Sequence, residues 1–189
     1  MNKIVYHGSP NPNIEELTPH NSTHQQDCIY ATDNKVVALL FMGKGNGDLD
    51  TRISTIDGKL QLVERREGVL NCLYNKEGYL YELDGTTFKH YEYLWSLEVI
   101  SFEKSIKPIN KICYTNILEA INEEEKKGNI TIYRYPNRPK DMPLDNSDLI
   151  DKYINFEKNG LCGAINDLLK IYPEFKPLVE IKIRLQYKK

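Results

Sequence analysis

Apolar positions enter this chain in short bursts. Lys3 to Tyr6 reads as a buried strand that breaks at His7-Gly8-Ser9-Pro10, where glycine and proline punctuate the backbone. Asn11 to Gln26 is polar, contains Pro12 and Pro19, and reads as a long loop with room for one helical turn. Cys28-Ile29-Tyr30-Ala31-Thr32 gives a second short strand. Asp33 then takes the N-cap position of an apolar helix carried by Val36, Val37, Leu39, Leu40 and Phe41, and Gly43 stops it. Gly43-Lys44-Gly45-Asn46-Gly47-Asp48 reads as a surface loop. Its glycines alternate as if to cradle a phosphate, but it lacks the Lys-Ser/Thr ending of a P-loop and follows a helix rather than a strand.

From Lys59 to Lys107 the pattern is strand-rich. Gly78 to Gly85 alternates between glycine boundaries, and Leu97 to Ile106 is a further strand closed by Pro108. Strands without regular intervening helices predict antiparallel sheets. Beyond Pro108 the character changes. Thr115 caps an amphipathic helix through Ile117, Leu118 and Ile121, ending in the acidic run Glu123-Glu124-Glu125, which reads as a solvated face. Ile130 to Tyr135 is a strand candidate, and Pro136, Pro139 and Pro143 mark an irregular linker. Ser147 caps a second helix ending near Gly160, and a third runs roughly from Ala164 to Ile171. Val179, Ile181, Ile183, Leu185 and Tyr187 alternate with polar residues, which predicts a closing strand, with a terminal helix as the lesser option.

Composition narrows the function classes. At 189 residues the chain fits one compact domain with an appendage, since single cores stop growing beyond roughly 250–300 residues. A net charge of −2 gives no basic surplus for bulk nucleic-acid binding or for a polybasic membrane anchor. No stretch approaches the roughly 20 apolar residues of a membrane span, and no secretory signal is read, so the expectation is a cytoplasmic protein without a membrane partner. Cys28, Cys72, Cys113 and Cys162 never form C-x-x-C, so neither a metal site nor a disulfide framework is expected. Asn21-Ser22-Thr23 matches a glycosylation sequon, which carries no meaning without a secretory signal.

Three short pieces combine residue types that suit chemistry: Tyr6-His7-Gly8-Ser9 at a strand end, Ile29-Tyr30-Ala31-Thr32 on a strand feeding an apolar helix, and Leu97-Glu98-Val99-Ile100-Ser101-Phe102 on a later strand. Taken singly, each has a plain reading: a structural histidine, a packed tyrosine, a solvent-facing glutamate. In their order and contexts they resemble the His-Tyr-Glu branch of the ADP-ribosyltransferase superfamily, which includes the diphtheria-toxin-like and PARP-like enzymes. The resemblance covers roughly residues 3 to 108.

It implies an α+β fold, a split antiparallel β-sandwich of ADP-ribosyltransferase type with a C-terminal helical extension. Residues 1–108 would form the NAD-binding core, with the nucleotide in the cleft between two sheets, and 109–189 the mainly helical extension. It further implies NAD as co-substrate, with the nicotinamide–ribose bond cleaved and ADP-ribose passed to an acceptor, whether protein, nucleic acid or small molecule. Glu98, His7 and Tyr30 would be catalytic, and His7, Gly8, Ser9 and Tyr30 would bind NAD. Glu98 would place negative charge near the developing cation. His7 would hold a ribose hydroxyl, Gly8 would offer backbone groups to the carboxamide, Ser9 would add a polar contact, and Tyr30 would lie against the nicotinamide ring.

Ser96 stands where arginine-specific toxin members carry Glu or Gln. Glu82, Glu92 and Glu103 are rival carboxylates, and His20 and His24 are rival histidines that read as loop-surface residues. Tyr79 and Tyr81 read as sheet packing. Tyr91, Tyr93 and Trp95 read the same way, with an acceptor-facing surface as the alternative. Other functions left open are a non-catalytic nucleotide-binding or protein-interaction domain of the same fold and an RNA 2′-phosphotransferase-like enzyme. The last expects phosphate-gripping arginines and a basic surplus that the sequence does not display.

Overall fold

The computed structural model describes residues 3–21, 26–43 and 45–186. His24, Lys44, Tyr187 and the Ser22-Thr23 part of the sequon lie outside the described residues. In chain order the elements are β1 (Ile4–Ser9), β2 (His20–Asn21), β3 (Asp27–Thr32), α1 (Lys35–Phe41), β4 (Thr51–Ile56), β5 (Lys59–Glu64), α2 (Val69–Tyr74), β6 (Gly78–Asp84), β7 (Glu98–Ser101), β8 (Asn110–Tyr114), α3 (Ile117–Lys126), β9 (Ile130–Tyr133), α4 (Asp148–Lys158), α5 (Ala164–Ile171) and α6 (Lys176–Gln186). The fold is α+β, with antiparallel strand pairing and a helical C-terminal region. Two compact units interleave along the sequence: residues 1–45 with 70–130, and residues 46–69 with 131–189.

The first unit is a six-stranded sheet in the order β2-β3-β1-β6-β8, with β7 also paired to β3. β1 pairs with β6 along its whole length, from Ile4↔Asp84 to Ser9↔Tyr79. Its antiparallel register with β3 is a single pair among the described residues, Tyr6↔Thr32. Strand side chains alternate between the two faces. One face packs Val5, Ile29, Ala31, Tyr79, Tyr81, Leu83 and Val99 under Leu17 and Phe88. Tyr79 and Tyr81 are thus core residues, as their alternation predicts.

The opposite face receives α1, whose Val36 to Leu40 are all buried. A helix apolar on every side needs cover on every side. α1 lies so close to β1 that a Cβ on Gly8 would sit 1.8 Å from the Ala38 carbonyl oxygen.

Two helix starts fall one residue later than the pattern predicts. Asn34, not Asp33, caps α1, its Oδ1 accepting from Val36 N–H at 2.9 Å and Val37 N–H at 3.3 Å. Asp33 lies too early to reach those groups, and it engages His90 Nε2 at 3.2 Å instead. Asn116 likewise replaces Thr115 at α3, accepting from Glu119 N–H at 3.1 Å. In both cases a cap oxygen must reach the N–H two or three positions on, and only the residue at the actual entry does so.

In the second unit β4 and β5 form an antiparallel hairpin in a sheet ordered β4-β5-β9. It turns on Asp57 (φ 50°) and Gly58 (φ 73°), the two positive φ values that a tight hairpin turn requires. Leu149, Ile150, Ile154, Leu168, Phe175 and Val179 build the helical core. The closing strand predicted over 179–187 is instead the helix α6. In that helix Val179 and Ile183 lie one turn apart and pack into this core, while Leu178, Ile181 and Leu185 stay exposed. Burial against neighbouring helices outweighs local alternation, as tertiary packing commonly does.

A buried charge joins this unit's sheet to its helices. The Arg65 guanidinium is 2% exposed and binds Asp148 through two bonds of 2.9 and 2.7 Å. Arg138 donates to the carbonyls of Glu64 at 2.6 Å and Arg65 at 2.7 Å.

Two outcomes follow for stability. Gly8→Ala is expected to cost about 3 kcal/mol or more, because the obstructing atom is backbone; a chemical denaturation curve matching wild type would show that α1 can move away. Asp148→Ala strands the Arg65 charge in the interior and is expected to cost about 3–5 kcal/mol. An unshifted urea midpoint would mean the guanidinium finds water.

Candidate functional site

β1 does not break at His7. Pairing with β6 holds it extended through His7↔Tyr81 and Gly8↔Leu80 to Ser9. Ser9 Oγ then accepts the Asn11 N–H at 3.1 Å and turns the chain. Where β1 and β3 cease to pair, the His7 ring reaches across and Nδ1 bonds the Tyr30 carbonyl at 3.0 Å. A side chain thus occupies the position of a ladder bond. A carbonyl only accepts, so Nδ1 carries the hydrogen, and in the neutral ring Nε2 keeps a lone pair.

Tyr30 is half-buried and packs against Cys28, Leu94 and Ile100. Glu98 opens β7 directly opposite Thr32, with Ile100 opposite Tyr30. The glutamate therefore shares a sheet face with Tyr30 at the diagonal position, about 7 Å away between β-carbons. His7, Tyr30 and Glu98 thus come from three neighbouring strands of one unit. The register sets Tyr30 and Glu98 on one face of the sheet and His7, next to Tyr6, on the other, so the His7 ring meets the Tyr30 backbone rather than its side chain. The rival carboxylates are placed elsewhere. Glu82 lies on β6 and accepts from Asn110 at 3.1 Å. Glu92 is exposed in a turn, and Glu103 is exposed beyond the end of β7.

His20, which reads as a loop-surface residue, is exposed as expected but stands on a short strand beside Tyr30. It sits on β2 opposite Cys28, and its ring lies 5.3 Å from that of Tyr30 at an interplanar angle of 51°. A two-residue strand has no periodicity, so no sequence signal marks His20. Beyond Tyr30 an aromatic group reaches the surface: Tyr91 lies 5.6 Å from Tyr93 and edge-on to Phe102 at 5.9 Å. Tyr93 and Phe102 are 48% and 55% exposed, so this run is surface as well as packing. Gly8 has a packing reason for its bareness, the α1 backbone above it.

Burial holds the His7 imidazole below its ordinary value of 6.5; the bond to the Tyr30 carbonyl pulls upward, and the nearby charge of His20 pushes down again. The folded value is lowered, so between 6.5 and that value the unfolded chain binds a proton that the native one does not. Stability linked to His7 is whole above 6.5 and falls as the pH drops through that window. Imidazole ¹⁵N spectra are expected to show His7 neutral at pH 7, protonated on Nδ1, and titrating below 6.5. A midpoint above that value, or a proton on Nε2, would contradict this geometry.

Comparisons with protein-family models, with curated proteins and with solved structures return no match for this chain.

Proposed function

We propose that this chain is an NAD-dependent mono-ADP-ribosyltransferase, with His7, Tyr30 and Glu98 as the centre that opens the nicotinamide–ribose bond. One observation carries the reading. The His7 ring is pinned by Nδ1 to the Tyr30 carbonyl, which leaves Nε2 as an acceptor next to the Tyr30 strand, with Glu98 diagonal to Tyr30 on the neighbouring strand.

That set suits this chemistry. Cleavage breaks the C1′–N bond, and the electron pair goes to nicotinamide, which leaves as a neutral ring. The ribose then resembles the oxocarbenium ion of glycoside cleavage. The acceptor's nucleophile forms the new bond to C1′ and releases its proton. Fixed negative charge near the cation lowers the barrier most where it need not reorganise. Glu98 supplies that charge and accepts from the ribose 2′-hydroxyl. Nε2 of His7 accepts from a ribose hydroxyl and sets the sugar's orientation. Tyr30 covers the nicotinamide ring, a contact worth about 0.5–1.5 kcal/mol beyond area, and His20 braces Tyr30 from its other neighbour. The parting of β1 from β3 beyond Tyr6↔Thr32 would then be the cleft of a split sandwich, with Gly8 and Ser9 along its rim.

The test is nicotinamide release from NAD by the purified protein, with Glu98→Gln alongside and NAD binding followed by calorimetry. Release by wild type, lowered about 10²–10³-fold in the variant, is the expected result, with binding of NAD retained. Undiminished release by Glu98→Gln moves the charge to another carboxylate. Neither release nor binding removes the reading altogether.

A further inference from the structure

A cavity of about 550 Å3 lies in the first unit between the segment that follows β1 and the start of β8. Its floor is Tyr81, the register partner of both His7 on β1 and Lys111 on β8. The Tyr81 hydroxyl donates to the Asn11 carbonyl at 2.6 Å and accepts from the Ile14 N–H at 3.3 Å. Those bonds tie the near wall to the sheet. Pro12 and Ile14 form that wall, and Ile109 faces them from the β8 side. Ile109 is 58% exposed, an unusual share for isoleucine beside a cavity.

The cavity has one cation. Lys111 Nζ donates to the Pro12 carbonyl at 3.0 Å and lies 5.6 Å from the centre of the Tyr79 ring. Among the described residues no carboxylate pairs with it, whereas Lys3, Lys126, Lys127, Lys152 and Lys182 each meet one. The two contacts hold the ammonium in place and use one of its three hydrogens. Glu15 also lines the cavity and makes no ion pair with Nζ. The Asn110 amide is held by Glu82 at 3.1 Å.

We propose that this cavity is a binding site for a small amphipathic organic acid. Its carboxylate meets Lys111 and its apolar body lies between Ile14 and Ile109. The volume falls in the range of small-molecule sites, which combine apolar walls with a few placed polar groups. A fixed ammonium with free donors selects for an anionic head, because charge-assisted hydrogen bonds are the stronger class. The inference does not rest on the transferase reading. It uses neither Tyr30 nor Glu98, and it reaches His7 solely through the backbone pairing of Tyr81.

The probe pair is 1-naphthaleneacetate and 1-naphthaleneacetamide, which share a body and differ in the charge. Each is titrated into the full chain while backbone amide NMR shifts are followed. Saturable shifts at Asn13, Asn110 and Lys111, with the acid bound about tenfold more tightly than the amide, are expected. Lys111→Gln is expected to abolish that preference while still binding the amide, and Ile109→Ser to weaken both ligands alike. Thermal unfolding of both variants, each altered at an exposed position, is expected to match wild type. No saturable shift at these residues, equal affinity of wild type for acid and amide, or a preference that survives Lys111→Gln overturns the assignment.

Discussion

The backbone of α1 crosses β1 with no room for a methyl group between them, and the first unit is arranged around that contact. Gly8 must be bare for Ala38 to come so near. The neighbouring residue points to the opposite face and meets a different demand, at the strand's β3 edge. There β1 has let go of β3, and the His7 ring fills the gap by bonding the Tyr30 carbonyl. Adjacent residues of a strand point to opposite faces, so these two requirements fall on consecutive positions. A His-Gly pair meets both: a ring with one donor and one acceptor nitrogen, then no side chain at all. Full pairing with β6 keeps the strand straight while both exceptions are made.

Much of the framework was legible because apolar runs and breakers carry it. β3, α1, α3, α4 and α5 stand close to where periodicity and glycine place them, and α5 agrees at both ends. The misses share a cause, which is that a neighbour in space decides what the local sequence leaves undecided. Asp33 and Asn34 are both good caps, and the choice between them depends on where the helix docks. β1 continues through Gly8 because β6 pairs with it. Asp57-Gly58 is a plain hairpin turn, yet its two strands carry mixed burial rather than clean alternation, which hid the pair.

The same contrast holds for the candidate site. Glu98 and Glu103 differ in place, Glu98 lying on β7 across from Thr32 and Glu103 exposed beyond the strand's end. His20 was not legible. Its place depends on two residues pairing with β3 at Cys28 and Asp27, and a contact that small leaves no trace in composition. The pairing matters chemically because a second imidazole near His7 opposes its protonation, adding to what burial does. Both effects keep the ring neutral, and a neutral ring is the form that offers Nε2 as an acceptor.

α6 has a consequence of another kind. Its apolar residues alternate, so the helix buries Val179 and Ile183 and leaves Leu178, Ile181 and Leu185 in water. Until the cluster around Leu149, Ile154 and Leu168 exists, nothing favours the helix over an extended chain with Val179, Ile181, Ile183 and Leu185 on one side. Such a segment, rich in branched residues and free of proline after Pro177, can template strand pairing between molecules. The element that completes the second core is therefore also a segment suited to strand pairing between molecules, and the charged residues interspersed at Glu180, Lys182 and Arg184 are of the kind that oppose it.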